Sequence, residues 1–306
     1  MRAIRSLGYR TDIFIASFDS VVEDRGRYVL IKTPSNPGFI WGNYLLYPEP
    51  PDADASRPGH EGSWLDDHDR ELGGFAETTL FGWDREDGAR GDLDGFLARG
   101  FEVDTGAILT ATKSSLVRPS RYNDDVVVEP LRTSASWDAA AVALVNAFAQ
   151  RQLLIGSVKL LRDFVDRQLV RYRAMQDAGI GQWYGAYVDG QLAATLGLVR
   201  MNEIGRFQLV GTDPRFARQG VCSTLVYDVA RRGFEEQHLD RLVIATDATY
   251  HASGVYASVG FRPTETLVAL VRPHRPSPSA PPDPSVASDP PDPSDPPVPP
   301  RTPASS

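Results

Sequence analysis

The sequence has little cysteine, little lysine and no long apolar segment. Its single cysteine, Cys222, excludes an intrachain disulfide framework and a zinc site built from several cysteines. This usage is typical of a reducing compartment, so we expect a cytoplasmic protein. No apolar run approaches the ~18 residues that a membrane-spanning helix needs, and the N-terminus lacks a signal-peptide cleavage site. We therefore expect no membrane partner.

Basic residues are also too few for a nucleic-acid-binding surface, because the chain has three lysines and a net charge of -8. We expect no nucleic-acid partner. Residues 52–104 carry 15 acidic and 5 basic side chains, whereas residues 126–272 carry 14 acidic and 16 basic. The acidic segment either maintains solubility as a hydrated face or attracts a cationic substrate.

The composition changes abruptly near the C-terminus of the 306 residues, where 13 of the last 33 are proline. Proline lacks an amide donor, and this segment has almost no apolar bulk to bury. We predict that residues 273–306 form a disordered, proline-rich tail. Its alternative role is that of a ligand for a proline-reading domain.

Hydrophobic periodicity between Val126 and Arg272 predicts an ordered series of strands and helices. They are strand Val126–Glu129, helix Trp137–Arg151 capped by Ser136, helix Val158–Ala178, strands Trp183–Val188 and Gln191–Met201 joined by Asp189 and Gly190, strand Phe207–Thr212, helix Gly220–Glu236, strand Leu242–Thr246, helix Ala252–Ser258 and strand Leu267–Val271. The order β α α β β β α β α β is not strictly alternating. It favours an α/β fold with a mixed sheet over a doubly wound fold.

A strand-to-helix junction carries the first chemical signal, in the segment GTDPRFARQGVCSTLV. Consecutive amides from Arg218 to Cys222 lead into the helix, and the start of a helix can hold a pyrophosphate. Gly220 lets a phosphate approach the backbone, and Arg218 is placed to add a charged contact. An ordinary strand-to-helix turn would contain the same glycine.

The second signal is the segment ASGVYASVGF, which has the frame Ala252, Val255, Tyr256, Gly260 and Phe261. Together with RQGVCSTLV, it resembles the GNAT superfamily of acyl-CoA N-acyltransferases, over residues 126–272. The family pattern Gln/Arg-x-x-Gly-x-Gly/Ala falls on Ala217, Gly220 and Cys222, and the sequence departs from that pattern at Ala217 and Cys222.

The resemblance implies a twisted mixed sheet of the GNAT fold, in which two central strands part around the pantetheine arm of acetyl-CoA. It implies that the chain transfers an acetyl group from acetyl-CoA to an amine of a small molecule or peptide. The implied cofactor-binding residues are Val210, Thr212, Ala217, Arg218, Gln219, Gly220, Val221, Cys222 and Ser223. Tyr256 would be catalytic, with its hydroxyl donating to the departing sulfur. The alternatives are a non-catalytic acyl-CoA-binding sensor or interaction module and a transferase of a bulkier acyl group.

The general base has two candidate carboxylates in the sequence, and a water relay is the alternative to both. Glu203 precedes the central strand and Asp247 ends the next one, although either could be an ordinary turn residue. Cys222 fills a small-residue position, which is a more frequent role than that of a reactive thiolate. The histidines show no metal-ligand spacing, so we assign no metal.

The first 120 residues repeat this pattern faintly. In FLARGFEVD, Gly100 and Phe101 follow a helical stretch, and Phe96 stands where the other segment has Tyr256. Upstream, the strand-like NYLLYP and the helical SWLDDHDREL flank a loop with three prolines and four acidic residues, without a short glycine-led turn. We interpret residues 1–120 as a degenerate GNAT-like module without CoA binding, in tandem with a GNAT N-acetyltransferase domain at 126–272.

Truncation after Arg272 should leave the melting temperature and acyl transfer unaltered, because no buried backbone is removed. Thermal unfolding of the full-length and truncated proteins checks this. A fall of several degrees would mean that the tail docks on the folded part.

Overall fold

A computed structural model describes residues 2–149, 158–247 and 252–273. The predicted end of one helix at Arg151 and the predicted tail from residue 274 onward lie outside these ranges. The first half contains α1 (Leu7–Ala16), β1 (Val21–Asp24), β2 (Val29–Lys32), β3 (Tyr44–Tyr47), α2 (Trp64–Glu71), β4 (Thr78–Trp83), α3 (Asp94–Leu97) and β5 (Glu102–Ala111).

The second half confirms the predicted order of strands and helices. It contains β6 (Val127–Pro130), α4 (Ser134–Ala149), α5 (Val158–Asp177), β7 (Gly181–Val188), β8 (Gln191–Met201), β9 (Ile204–Thr212), α6 (Val221–Glu235), β10 (Arg241–Asp247), α7 (Ala252–Val259) and β11 (Arg262–Pro273). β11 includes Pro273, which pairs with Thr78, so a truncation placed after Pro273 leaves this strand whole. Within the described ranges, no helix is both long and apolar enough to span a bilayer.

The N-terminal cap of α4 differs from the prediction. Thr133 accepts a hydrogen bond from the amide of Ser136 through Oγ1 at 3.1 Å, and its own amide donates to Oγ of Ser136 at 3.1 Å. This reciprocal pair is a capping box, in which the first residue is the cap and the fourth closes the turn. Ser136 as the cap was therefore wrong, because Ser136 is the closing residue.

Helix α1 was not predicted, because its partners are distant in the sequence. The carboxylate of Glu265 accepts hydrogen bonds from the amides of Leu7 and Gly8 at 2.7 and 3.1 Å. Asp84 accepts from the amides of Arg5 and Ser6 at 2.7 and 2.9 Å. Two carboxylates from other elements thus satisfy the amides at the helix start.

The strands of the described ranges join one 11-stranded sheet in the order β1-β2-β3-β4-β11-β5-β10-β9-β8-β7-β6. The last strand of each half lies beside the penultimate strand of the other half. β10 pairs with β5 from Leu242–Ala111 to Asp247–Gly106 in antiparallel register, and β11 pairs with β4 from Ala269–Gly82 to Pro273–Thr78. The two halves have therefore exchanged their final strands.

The exchange gives the sheet an approximate two-fold relation. β3 and β4 run parallel to each other, as do β9 and β10. The exchanged strands β5 and β11 lie antiparallel between these two pairs. The two parallel pairs therefore point their carboxyl ends toward opposite edges of the sheet.

Alternate residues of the central strands face different helices. Ile108 and Val243 pack in one hydrophobic cluster with α1, whereas Leu109 and Ile244 pack in another with α6 and α7. Helices α4 and α5 form a further cluster that includes Ile15 of α1. The sheet is therefore covered on both faces, which is the layering of an α/β fold.

The strand exchange predicts that the second half cannot fold alone. A fragment of residues 121–273 would lose β5 and β4, so β11 would have no partner strand and β10 would pair only with the first residues of β9. The face that packs on α1 would also be uncovered. We expect no cooperative thermal transition from this fragment, and recovery of the transition when residues 1–120 are co-expressed. A cooperative melt of the isolated fragment by circular dichroism would contradict this expectation.

Candidate active site

The two central parallel strands separate in the second half of the protein. β9 and β10 pair only from Ile204–Arg241 to Arg206–Val243, within the part of the chain that the structure describes. β9 nevertheless continues to Thr212, and β10 continues to Asp247. A gap therefore opens between the two strands toward their carboxyl ends, where ligands of open α/β sheets bind.

A bulge in β9 lines this gap. The register against β8 passes from Gly197–Gln208 to Thr195–Gly211, so that two residues of β9 oppose one residue of β8. Leu209 within the bulge has a φ of 49°, which is unusual for a branched side chain. Bulges of this kind redirect the backbone next to functional sites. Leu209 packs toward α4 and α5, while Val210 packs toward α6 and α7.

Helix α6 begins beside the end of β9. Gly220 is its N-cap residue, with φ 81° and ψ -5°. The first amides of any α-helix have no acceptor within the helix, and the helix dipole favours an anion there. Ala217, Arg218 and Gln219 are exposed on the connecting loop. The junction can therefore hold a phosphate group through backbone amides.

Asp213 fixes this connecting loop. Its carboxylate accepts hydrogen bonds from the amide of Arg215 at 3.0 Å, from Nη2 of Arg215 at 2.9 Å and from Nδ2 of Asn146 at 2.7 Å. Burial raises the pKa of Asp213, but these hydrogen bonds outweigh it and hold the pKa below its usual value. The ionised carboxylate thus ties the loop to α4 at neutral pH.

The predicted cofactor-binding residues are distributed along this junction. Val210 and Thr212 lie on β9 beside the gap, and the Thr212 hydroxyl is buried without a partner among the described residues. The side chain of Val221 is 1% exposed, so only its backbone can meet a ligand. Cys222 is partly buried against the core, and the Ser223 hydroxyl donates to the Gly220 carbonyl at 2.9 Å.

Gly220 has a second neighbour that the sequence did not indicate. A Cβ atom at this position would lie 2.2 Å from the carbonyl oxygen of Arg121, in the segment that links the two halves. Asn123 of the same segment donates from Nδ2 to the Gln219 carbonyl, and from its amide to Thr224 Oγ1, both at 2.9 Å. Packing of the linking segment therefore requires glycine here, independently of any phosphate.

Tyr256 lies in α7, on the same face of the sheet as α6. Its side chain is 6% exposed and belongs to the hydrophobic cluster that contains Val221 and Ile244. The helix ends in a Schellman motif, in which the Phe261 amide donates to the Tyr256 carbonyl at 3.1 Å and Gly260 has a φ of 109°. This turn fixes the position of Tyr256 relative to Gly260 and Phe261.

The same motif ends α3 in the first half. The Phe101 amide donates to the Phe96 carbonyl at 3.2 Å, and Gly100 has a φ of 78°. The aromatic rings around the two turns also have similar geometry. Phe96 and Phe101 form a T-shaped pair with ring centroids 5.3 Å apart, and Tyr256 and Phe261 form a T-shaped pair with centroids 6.4 Å apart. Phe96 thus has the same local position as Tyr256, without a hydroxyl group.

The first half has no counterpart of the gap in its described residues. β3 and β4 stay paired through Tyr47–Trp83, and the Asp84 amide extends this contact to the Tyr47 carbonyl at 2.8 Å. Trp64, the first residue of α2, stacks on Tyr47 with ring centroids 3.8 Å apart. Aromatic side chains therefore fill the region where α2 begins.

The two candidate bases lie at opposite ends of the central strands. Glu203 is exposed in the turn before β9, where its carbonyl accepts from the Asp240 amide at 2.8 Å, far from the gap. Asp247 ends β10 at the open end. Burial raises the pKa of Asp104 on β5, and the nearby charge of Asp247 raises it further.

Asp104 was not among the candidate bases predicted from the sequence. It belongs to the exchanged strand of the first half, so nothing in its local sequence connects it with Asp247. In the described ranges, no group of three or more His, Cys, Asp or Glu side chains could hold a metal ion.

Comparison with known proteins identifies the class. Residues 148–269 match the family model described as "Acetyltransferase (GNAT) domain", and no curated protein matches the sequence. A functionally unknown conserved protein from Staphylococcus epidermidis shares the fold, with a TM-score of 0.66 and 16% identity over 86% of this chain and 96% of that one. A GCN5-related N-acetyltransferase from Kribbella flavida gives a TM-score of 0.57 and 13% identity over 88% and 96% of the two chains.

A tandem GNAT protein from the clavulanic acid biosynthesis pathway gives a TM-score of 0.52 and 14% identity over 90% of each chain. These likenesses extend across both halves and define a GNAT-type α/β fold. Residues 148–269 are therefore similar to the GNAT acetyltransferase domain.

Replacement of Gly220 by alanine should destabilise the protein by about 1–3 kcal/mol, because a residue with a Cβ atom is strained in the left-handed conformation. The destabilisation should be larger still, because the added Cβ atom would clash with the carbonyl oxygen of Arg121. Gly190 is a matched control, since its φ is 75° and a Cβ atom added there would have no neighbour within 4 Å. We expect Gly220→Ala to cost more than Gly190→Ala in denaturant unfolding. Equal losses would rule out the contact with the linking segment.

Proposed function

We propose that this protein is an N-acetyltransferase that transfers an acetyl group from acetyl-CoA to an amine of a small molecule or peptide. The observation that carries the proposal is the gap between β9 and β10, which opens beside the N-terminus of α6. The family match over residues 148–269 supports acyl-CoA as the donor.

In this proposal, the pantetheine arm enters the gap and uses the backbone of β9 around Val210 and Thr212. The pyrophosphate binds the backbone from Ala217 to Ser223, with Arg218 as the charged contact. Since the contacts come mainly from amides, Ala217 and Cys222 are compatible with binding although they depart from the family pattern.

Transfer requires a neutral amine, a donor for the thioester oxygen and a proton for the departing sulfur. The amine nitrogen attacks the thioester carbon, and a β9 amide in the bulge stabilises the negative charge that develops on the oxygen. The carbon–sulfur bond then breaks, and the Tyr256 hydroxyl supplies a hydrogen bond or proton to the sulfur.

The proton lost by the amine goes to Asp104 or Asp247, directly or through water. A raised pKa makes the carboxylate of Asp104 a better proton acceptor, and two neighbouring carboxylates also attract an ammonium group before it is deprotonated. This pair supports an acceptor that carries positive charge near its reactive nitrogen.

The organisation of the chain in this proposal is a degenerate module at 1–120, a working domain that begins at 126 and ends with β11 at Pro273, one residue later than expected, and a tail from residue 274 onward. The closed β3–β4 pair and the hydroxyl-free Phe96 support the loss of acyl-CoA chemistry in the first module. The single cysteine supports a cytoplasmic location.

Calorimetry against CoA and acetyl-CoA, followed by turnover assays with a panel of primary amines, tests this function. Binding with turnover of at least one amine is the expected result. Binding without turnover of any amine would favour an acyl-CoA sensor, and faster turnover with longer acyl-CoA donors would favour a bulkier acyl group. Absence of binding to either molecule would reject the proposal.

Tyr256→Phe should keep acetyl-CoA affinity and lower kcat by about 10- to 1,000-fold, the range expected when one positioned proton donor is lost. The protein should fold, because the first half already accommodates phenylalanine in the equivalent turn. Tyr227→Phe on α6 is the control, since this ring packs against the same cluster and should leave kcat unchanged. A folded Tyr256→Phe protein with full kcat would refute the role.

A further inference from the structure

Two buried arginines of the second half hold helix α1. Arg206 of β9 donates from Nη2 to Asp12 at 2.8 Å and from Nη1 to the Thr11 hydroxyl at 2.6 Å. Arg171 of α5 donates from Nε to Asp19 at 2.5 Å and from Nη2 to the Ile15 carbonyl at 2.6 Å. We name these the Arg206 clamp and the Arg171 clamp.

The two clamps are closely similar in burial. The side chains of Arg206 and Asp12 are 5% and 19% exposed, and those of Arg171 and Asp19 are 4% and 26% exposed. Removal of one partner from either pair leaves a buried charge without compensation, which is strongly destabilising. On energetic grounds alone, the two clamps should contribute similarly to the stability of the protein.

Their positions differ in one respect. Arg206 is the last residue of β9 that pairs with both neighbouring strands, opposite Val199 on β8 and Val243 on β10. Its Nε also lies 3.3 Å from the carbonyl oxygen of Phe207, the first residue of the separated part. The Arg206 clamp therefore holds β9 at the point where the gap begins, whereas Arg171 lies on a helix.

The other wall of the gap is also held by the first half. β10 pairs with β5 through Ile244–Leu109, Ala245–Ile108, Thr246–Ala107 and Asp247–Gly106, beyond the point where its pairing with β9 ends. The first half thus contacts both walls of the gap. β5 pairs with β10 through the backbone, and Asp12 forms a buried ion pair with Arg206 of β9. β10 is fixed along its length, and β9 is fixed at the base of the gap.

We propose that Asp12 and Arg206 are positioning residues, which set where β9 leaves β10 and so define the acyl-CoA gap. Beyond Arg206, β9 has no strand on its β10 side in the described residues, so a shift of β9 there breaks no pairing with β10. The buried guanidinium keeps its fork in place only while Asp12 and Thr11 accept its hydrogen bonds. The first half would thereby shape the site of the second. This inference rests on the proposed acyl-CoA function.

The experiment compares Asp12→Ala with Asp19→Ala in the full-length chain. Both variants should lose stability to a similar extent in denaturant unfolding. Only Asp12→Ala should accelerate hydrogen exchange of the amides at residues 207–212, by about tenfold or more, because local opening of β9 becomes easier. Only this variant should raise the acetyl-CoA dissociation constant, by about tenfold or more.

Equal exchange rates at 207–212 in the two variants, after allowance for their global stability, would overturn the proposal. If Asp12→Ala does not fold, Asp12→Asn and Asp19→Asn replace the pair, because asparagine keeps an acceptor oxygen and removes the charge. Unchanged exchange and acetyl-CoA affinity in a folded Asp12→Asn protein would also overturn it. Failure of the unmodified protein to bind acetyl-CoA would instead reject the proposed function, and the exchange comparison would still decide whether Asp12 positions β9.

Discussion

The pairing of β5 with β10 is the constraint on which the rest of the structure depends. The backbone amides and carbonyls of a buried strand need hydrogen-bond partners, and within the described residues β10 has β9 as a neighbour only over its first three residues. β5 satisfies the other side along six residue pairs. Because that pairing keeps β10 in the sheet, β9 can depart from it and leave a gap without exposing a strand that has no neighbours.

The two halves nevertheless have different interiors. In the first half, β3 and β4 remain paired to their ends, and large aromatic side chains pack beside them. In the second half, the bulge at Leu209 turns β9 away, and smaller residues such as Ala193 and Ala194 lie in the cluster that faces α6. One sheet thus contains a closed and an open version of the same parallel pair.

The sequence predicted those elements whose signals are local. The hairpin of β7 and β8 is confirmed, since Asp189 and Gly190 both adopt the positive φ that a two-residue turn requires. The glycine-ended turn after Tyr256 and its weak copy after Phe96 could also be recognised, because a Schellman motif favours glycine at one fixed place. These features depend on residues only a few positions apart.

Features that depend on distant partners could not be predicted in this way. Glu265 and Asp84 accept hydrogen bonds from the amides at the start of helix α1. The polar residues Thr11 and Asp12 of this helix act as acceptors for Arg206, which is distant in the sequence. The strand exchange and the approach of Asp104 to Asp247 follow from the order of strands in the sheet, which hydrophobic periodicity does not encode. The glycine at position 220 was assigned to phosphate binding from its local motif, and the nearby Arg121 carbonyl became visible only in three dimensions.

The exchange of final strands also has a consequence for how the assembly depends on protein concentration. Two separate chains that exchanged strands would come apart on dilution, because their association is bimolecular. Here the chain itself connects β5 to β6 through residues 112–126, so the exchanged strands meet at a high effective concentration however dilute the protein is. A half whose described strands form no gap can therefore persist as a permanent partner of the other, since it cannot dissociate from it.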